Sequence, residues 1–109
     1  MGHMKLAILD LVSVSSGQAV SEAIEASMRA AERVDKLGYE RLWFAEHHNT
    51  AAVASSATAL LIGQAAARTS TIKVGSGGIM LPNHPPLVVA EHIAALEALY
   101  PGRVDLGLG

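Results

Sequence analysis

Short apolar runs alternating with longer segments of helical period constrain this chain more than any other feature. Lys5 to Leu11 (KLAILDL), Arg41 to Ala45 (RLWFA), Thr71 to Ser76 (TIKVGS) and Arg103 to Leu108 (RVDLGL) each read as a strand. Between the first two, Val20, Ile24, Met28, Ala31 and Val34 recur at helical spacing, so a helix spans about Ala19 to Leu37. Gly38 supplies the left-handed residue that commonly ends a helix. A second helix follows Ser55 and Ser56, either of which suits an N-cap, and runs to about Arg68. A third starts at Pro85 and Pro86, continues to about Leu99 and is stopped by Tyr100-Pro101-Gly102. The order β-α-β-α-β-α-β predicts an α/β fold with parallel strands joined by right-handed crossovers. An open doubly wound sheet and part of a (β/α)₈ TIM barrel both satisfy it, and periodicity does not separate them.

Composition narrows the partners. The 109 residues suffice for one small domain, and at 50% hydrophobic and 17% charged the chain is too apolar for disorder. A net charge of −2 with no basic run argues against nucleic acid. Without cysteine there is neither a disulfide framework nor a thiolate metal site. No apolar stretch approaches the roughly 18 residues of a membrane span, so a cytoplasmic protein is expected. Met1-Gly2-His3 lacks the basic start and apolar core of a signal peptide and reads as an expression-tag remnant before a native Met4. The second helix is rich in small residues (Ala57, Ala59, Gly63, Ala65, Ala66, Ala67), which lets another helix approach it closely.

The chemistry concentrates where the second strand ends. Leu42-Trp43-Phe44-Ala45 delivers Glu46, His47 and His48 side by side, at the end of a strand where parallel folds place their sites. A histidine beside a carboxylate suits general acid-base work near neutral pH. Metal binding is the rival, but neighbours on extended backbone point opposite ways, HExxH spacing is absent, and His84 and His92 form no ligand pattern. The bland alternative is that these histidines hydrogen-bond backbone. Val74-Gly75-Ser76-Gly77-Gly78 forms a second constellation: glycines at a strand end permit a bulge or close approach to a flat ligand, or simply a turn. It is not the dinucleotide fingerprint, which belongs after the first strand, where this chain has VSVSSGQ. Leu81-Pro82-Asn83-His84-Pro85-Pro86 mainly rigidifies a loop. Asp10, at the end of the first strand, points towards a site or, more simply, bonds its own loop.

Taken together, LAILDLVSVSSGQ, AEHHNTAAVASSA and VGSGGIMLPNHPPLVVAEHIAALEALYPGRVDLGLG resemble the bacterial luciferase-like flavin-dependent monooxygenase family, in its order and spacing. The resemblance implies a (β/α)₈ barrel, of which residues 4–109 look like the N-terminal half. It implies that His47 is a catalytic base in the reaction of reduced flavin with oxygen. Ser76, Gly77 and Gly78 match the cofactor-binding bulge after strand three, where relatives place a non-proline cis peptide against the flavin ring. Glu46, His48 and Asp10 fall to substrate or supporting contacts, with no metal.

The cofactor implied is reduced FMN, supplied by a separate flavin reductase and used with oxygen to oxidise a small organic substrate. Some relatives use a deazaflavin for hydride transfer instead. A non-catalytic flavin-binding relative and a self-assembling half-barrel without ligand are the other readings. The resemblance also implies a homo-oligomer through the second and third helices. A barrel of this type needs about 250 residues, so this fragment alone is expected to be inactive. Its exposed sheet edge and apolar face favour self-association.

Overall fold

The structure, a computed structural model, describes residues 5–109, so the tag-like Met1-Gly2-His3 lies outside the described residues. The elements run β1 (Ala7–Asp10), α1 (Val20–Lys36), β2 (Arg41–Phe44), α2 (Thr58–Arg68), β3 (Lys73–Ser76), α3 (Pro86–Leu99) and β4 (Val104–Asp105). A short 3-10 turn, Leu81–Asn83, precedes α3. The strands form one parallel sheet in the order β1-β2-β3-β4, with Trp43 opposite both Leu9 and Gly75. A doubly wound sheet would reverse its strand order, and this one does not. With right-handed crossovers, unreversed order puts all three helices on one face, the winding of successive units in a (β/α)₈ barrel.

The helix-covered face holds the core. Leu42, Phe44 and Val74 of the sheet pack with Met28, Ala31 and Val34 of α1 and Leu61, Ile62 and Ala65 of α2. Val20, although in phase with that stripe, stands 55% exposed at the first turn; Ala23 and Ser27 carry the buried face instead. The Glu22 carboxylate closes the helix start by accepting the Ala19 N–H at 2.9 Å. Gly38, at φ +83°, ends α1 as its position predicts. The small-residue surface of α2 meets α3: a Cβ on Gly63 would stand 3.2 Å from Leu96 Cδ2.

Three local expectations need correction. Neither Ser55 nor Ser56 caps α2, whose N-cap is Ala57 without a side-chain bond. Ser55 is buried, and its hydroxyl donates to the Ala45 carbonyl, as does Thr58 Oγ1 at 3.0 Å. The last carbonyl of the β2 segment would otherwise be buried without a partner. The β4 ladder breaks after Asp105 and resumes only as a single bridge between Leu108 and Ile79, because the Ser76 hydroxyl bonds Gly107 in between. β3 begins at Lys73 rather than Thr71, because Asp35 of α1 accepts the N–H groups of Ser70, Thr71 and Ile72 at 2.8–3.0 Å. Partial burial pushes that carboxyl up; the three N–H bonds and the nearby Arg103 charge more than offset it, leaving its pKa below the ordinary value.

Candidate functional site at the strand ends

The carboxyl ends of β1, β2 and β3 bring the sequence-predicted residues together on one rim. The β1 and β2 loops are stitched by Val14 N–H to the Ala52 carbonyl (2.8 Å) and Ala54 N–H to the Val12 carbonyl (2.9 Å). Asp10 contributes to this loop: its Oδ1 accepts the Val12 N–H at 2.7 Å and holds Val12 at φ 51°. His47 is exposed, tied through its own N–H to the Ser55 carbonyl at 2.8 Å. Its imidazole has no hydrogen-bond partner among the described residues.

Glu46 and His48 turn away from that task. The Glu46 side chain is 1% exposed and accepts from three donors. His48 Nε2 lies 2.5 Å from Oε2, His84 Nε2 lies 2.9 Å from both oxygens, and the Met80 N–H donates to Oε1 at 3.1 Å. Burial raises the carboxyl pKa, but the bonds from His48, His84 and Met80, with the charge of His84, lower it by more, so the group sits below its ordinary value. His84, expected only to stiffen its loop, is therefore part of the constellation. Flanking prolines, which fix that loop, were the signal available for it.

The three groups offer ligand atoms within 4.8 Å of one another. Two ligands bound about 2.0–2.1 Å from one ion stand roughly 2.9–3.4 Å apart. The 2.5 Å contact between His48 and Glu46 is closer than that, and the carboxylate has its donors already. The His84 contacts, at 2.9 Å, fall within that range, and in the structure all three groups are joined by hydrogen bonds.

The glycines make a flat shelf beside this rim. The Gly77–Gly78 peptide is cis, and Gly77 N–H donates to the Phe44 carbonyl at 2.7 Å. A Cβ on Gly78 would lie 2.7 Å from the Leu108 carbonyl carbon, and one on Gly77 would lie 3.0 Å from Trp43 Cβ. Side chains are thus kept off the shelf by close backbone approach at Gly78 and by the Trp43 side chain at Gly77. Trp43, the sole tryptophan, lies against it on the uncovered side of the sheet. Ser76 faces the other way: fully buried, its hydroxyl donates to the Gly107 carbonyl at 2.8 Å and accepts the Gly107 N–H at 2.9 Å. It braces the shelf from behind. His92, on α3, is exposed and lines an apolar cleft of about 540 Å³ between α2 and α3, which reaches the rim at Glu46, Ile79 and His84.

The sequence profile of the luciferase-like monooxygenases matches residues 4–109. The chain belongs to the luciferase-like monooxygenase family. A luciferase-like monooxygenase of Escherichia coli strain K12 is 53% identical over 102 residues, covering 94% of this chain and 30% of that protein. The crystal structure of apo-MsnO8 superposes with a TM-score of 0.95 at 45% identity, covering 98% of this chain and 32% of that one. The oxygenating constituent of 3,6-diketocamphane monooxygenase from Pseudomonas putida, solved in complex with FMN, gives a TM-score of 0.91 at 24% identity over 98% of this chain and 29% of that one. At that identity the likeness is one of fold. This luciferase-like chain spans about a third of the length of the relatives it matches. Among the described residues no helix is long and apolar enough to cross a membrane.

Proposed function

We propose that this chain supplies the flavin-facing half of a flavin-dependent monooxygenase site, with His47 as its base. The observation that carries this is the juxtaposition at one rim of an unpartnered His47 and a shelf without side chains at Gly77–Gly78. The shelf fits a planar ring: Gly77 is exposed, and a Cβ on either glycine would strike Trp43 or the backbone of Leu108 and Gly109. FMN is the cofactor proposed, in preference to a deazaflavin, because the neighbour solved with FMN superposes with a TM-score of 0.91, against 0.76 for an F420-dependent alcohol dehydrogenase solved with an F420-acetone adduct. Reduced flavin bound there would supply the electrons for inserting one oxygen atom of dioxygen into a small organic substrate. His47 would exchange a proton at a ring nitrogen. Gly77 and Gly78 orient the ring, Ser76 holds the shelf in place, and Glu46 and His48 keep the rim in register. The reading places the protein in the cytoplasm, beside a reductase that delivers reduced flavin.

Trp43 provides the test. Being the sole tryptophan and lying against the shelf, it should lose emission saturably as FMN is added at micromolar concentration. Unchanged emission would sink the flavin assignment and favour a half-barrel without ligand. In the full-length protein, oxygenated product formed from reduced FMN, dioxygen and an organic substrate then separates the monooxygenase from a flavin binder without activity, since free reduced FMN consumes oxygen unaided. The chain alone, lacking the remainder of a barrel, is not expected to turn over.

The same reading makes the protein a homo-oligomer through α2 and α3. Leu60 of α2 and Leu87 of α3 stand 75% and 70% exposed, and an apolar cleft lies between the two helices. Light scattering should return a mass above that of the 11.3 kDa monomer. A monodisperse monomer would remove this interface from the proposal.

A further inference from the structure

Glu46 sits in an unusual position for a carboxylate: 1% exposed, yet at a rim where solvent is one residue away at His47. Burying a carboxylate is costly unless its oxygens are fully hydrogen-bonded. Here the donors come from two segments. His48 belongs to the β2 loop with Glu46 itself, but His84 and the Met80 N–H belong to the loop after β3, 38 and 34 residues further on. That second loop leaves the shelf directly: Gly77 and Gly78 are followed by Ile79, whose N–H donates to the Gly107 carbonyl at 2.8 Å, and then by Met80. The carboxylate is the side-chain link between the segment carrying His47 and the segment carrying the shelf.

From this geometry we infer that Glu46, clamped by His84 and the Met80 amide, is a positioning residue that fixes the shelf relative to His47. Its two oxygens accept from both loops at once, so neither loop shifts without breaking a charge-assisted bond. Pro85 and Pro86 stiffen the far side of His84, and the 3-10 turn at Leu81–Asn83 takes up the slack between Met80 and the imidazole. His48 occupies the remaining lone pairs on the His47 side. The consequence rests on the flavin reading proposed above, while the clamp itself does not.

Glu46→Gln preserves the shape of the side chain but removes the charge and places a donor where an acceptor is needed. In this chain, amide exchange at Ile79 and Met80 is expected to accelerate about tenfold, the scale of one charge-assisted hydrogen bond lost, with the amides of β1 and β2 unchanged. The FMN dissociation constant, followed by Trp43 emission, is expected to rise about fivefold or more. His84→Ala should reproduce both shifts, because it removes the same link from the other end. Acceleration spread equally over β1 and β2 would reduce Glu46 to general structural support and overturn the inference. So would FMN binding by Glu46→Gln that equals the parent chain, with the flavin reading left intact. If the parent chain itself fails to bind FMN, the flavin reading falls alone, and the exchange pattern still decides whether the clamp exists.

Discussion

Replacing Phe44 by alanine is expected to lower the stability of the chain by about 3–5 kcal/mol, the usual cost of emptying a large aromatic site in a packed core. Phe44 is fully buried at the centre of the cluster formed by β2, α1 and α2. A domain of this size is commonly stable by only about 5–15 kcal/mol, so the loss takes much of the total. Urea unfolding would show it as a large drop in midpoint with little change in slope. A midpoint within error of the parent chain would mean that this core is not formed in solution. The effect reaches the rim as well: the carbonyl of Phe44 accepts the Gly77 N–H, so a collapse around residue 44 loosens the attachment of the shelf.

Gly107→Ala is the second large effect, through an opposite cause. Phe44→Ala leaves space unfilled, whereas a Cβ on Gly107 would lie 2.2 Å from the Ser76 carbonyl oxygen. No rotamer relieves a clash between a Cβ and backbone, so β4 must move away from β3. That movement breaks both bonds between the Ser76 hydroxyl and Gly107, and weakens the Ile79 N–H bond to the Gly107 carbonyl. Overpacking of this kind costs about 1–3 kcal/mol, occasionally more, and this site belongs at the upper end because the struck atom is backbone. The urea midpoint should fall accordingly. Retention of the parent midpoint would show that the β4 end is free to shift and that the shelf does not depend on it.

Local chemistry made much of the fold legible in advance. Helix ends at Gly38 and Pro86 follow from backbone preferences of single residues, and the alternation of periods gave each element its type. Legibility failed where a side chain from one element completes the backbone of another. Ser55 looks like a cap by its place before a helix, yet it serves the Ala45 carbonyl of the preceding strand segment. Ser76 interrupts the β4 ladder by bonding Gly107 across 31 residues. Asp35 replaces the first pairs of β3 by accepting three N–H groups from the α2–β3 turn.

The candidate site divides in the same way. EHH at the end of RLWFA marked a reactive rim, because a strand leaving the core exposes its next residues whatever their partners. Which histidine is free was settled in space. Glu46 folds back under the rim and engages His48 and His84, and His47 is left without a side-chain partner among the described residues.

The sequence by itself determined the order of elements, the parallel α/β class, the family and the two segments that carry chemistry, since period, turn residues and motif spacing all act along the chain. Period left the winding open and only the resemblance implied it; the tertiary structure sets β1 to β4 side by side in unreversed order. It also decided that Trp43 lies against the shelf and that His84 closes on Glu46. These are contacts between residues more than thirty apart in sequence, set by strand register and loop closure, and no local pattern encodes them.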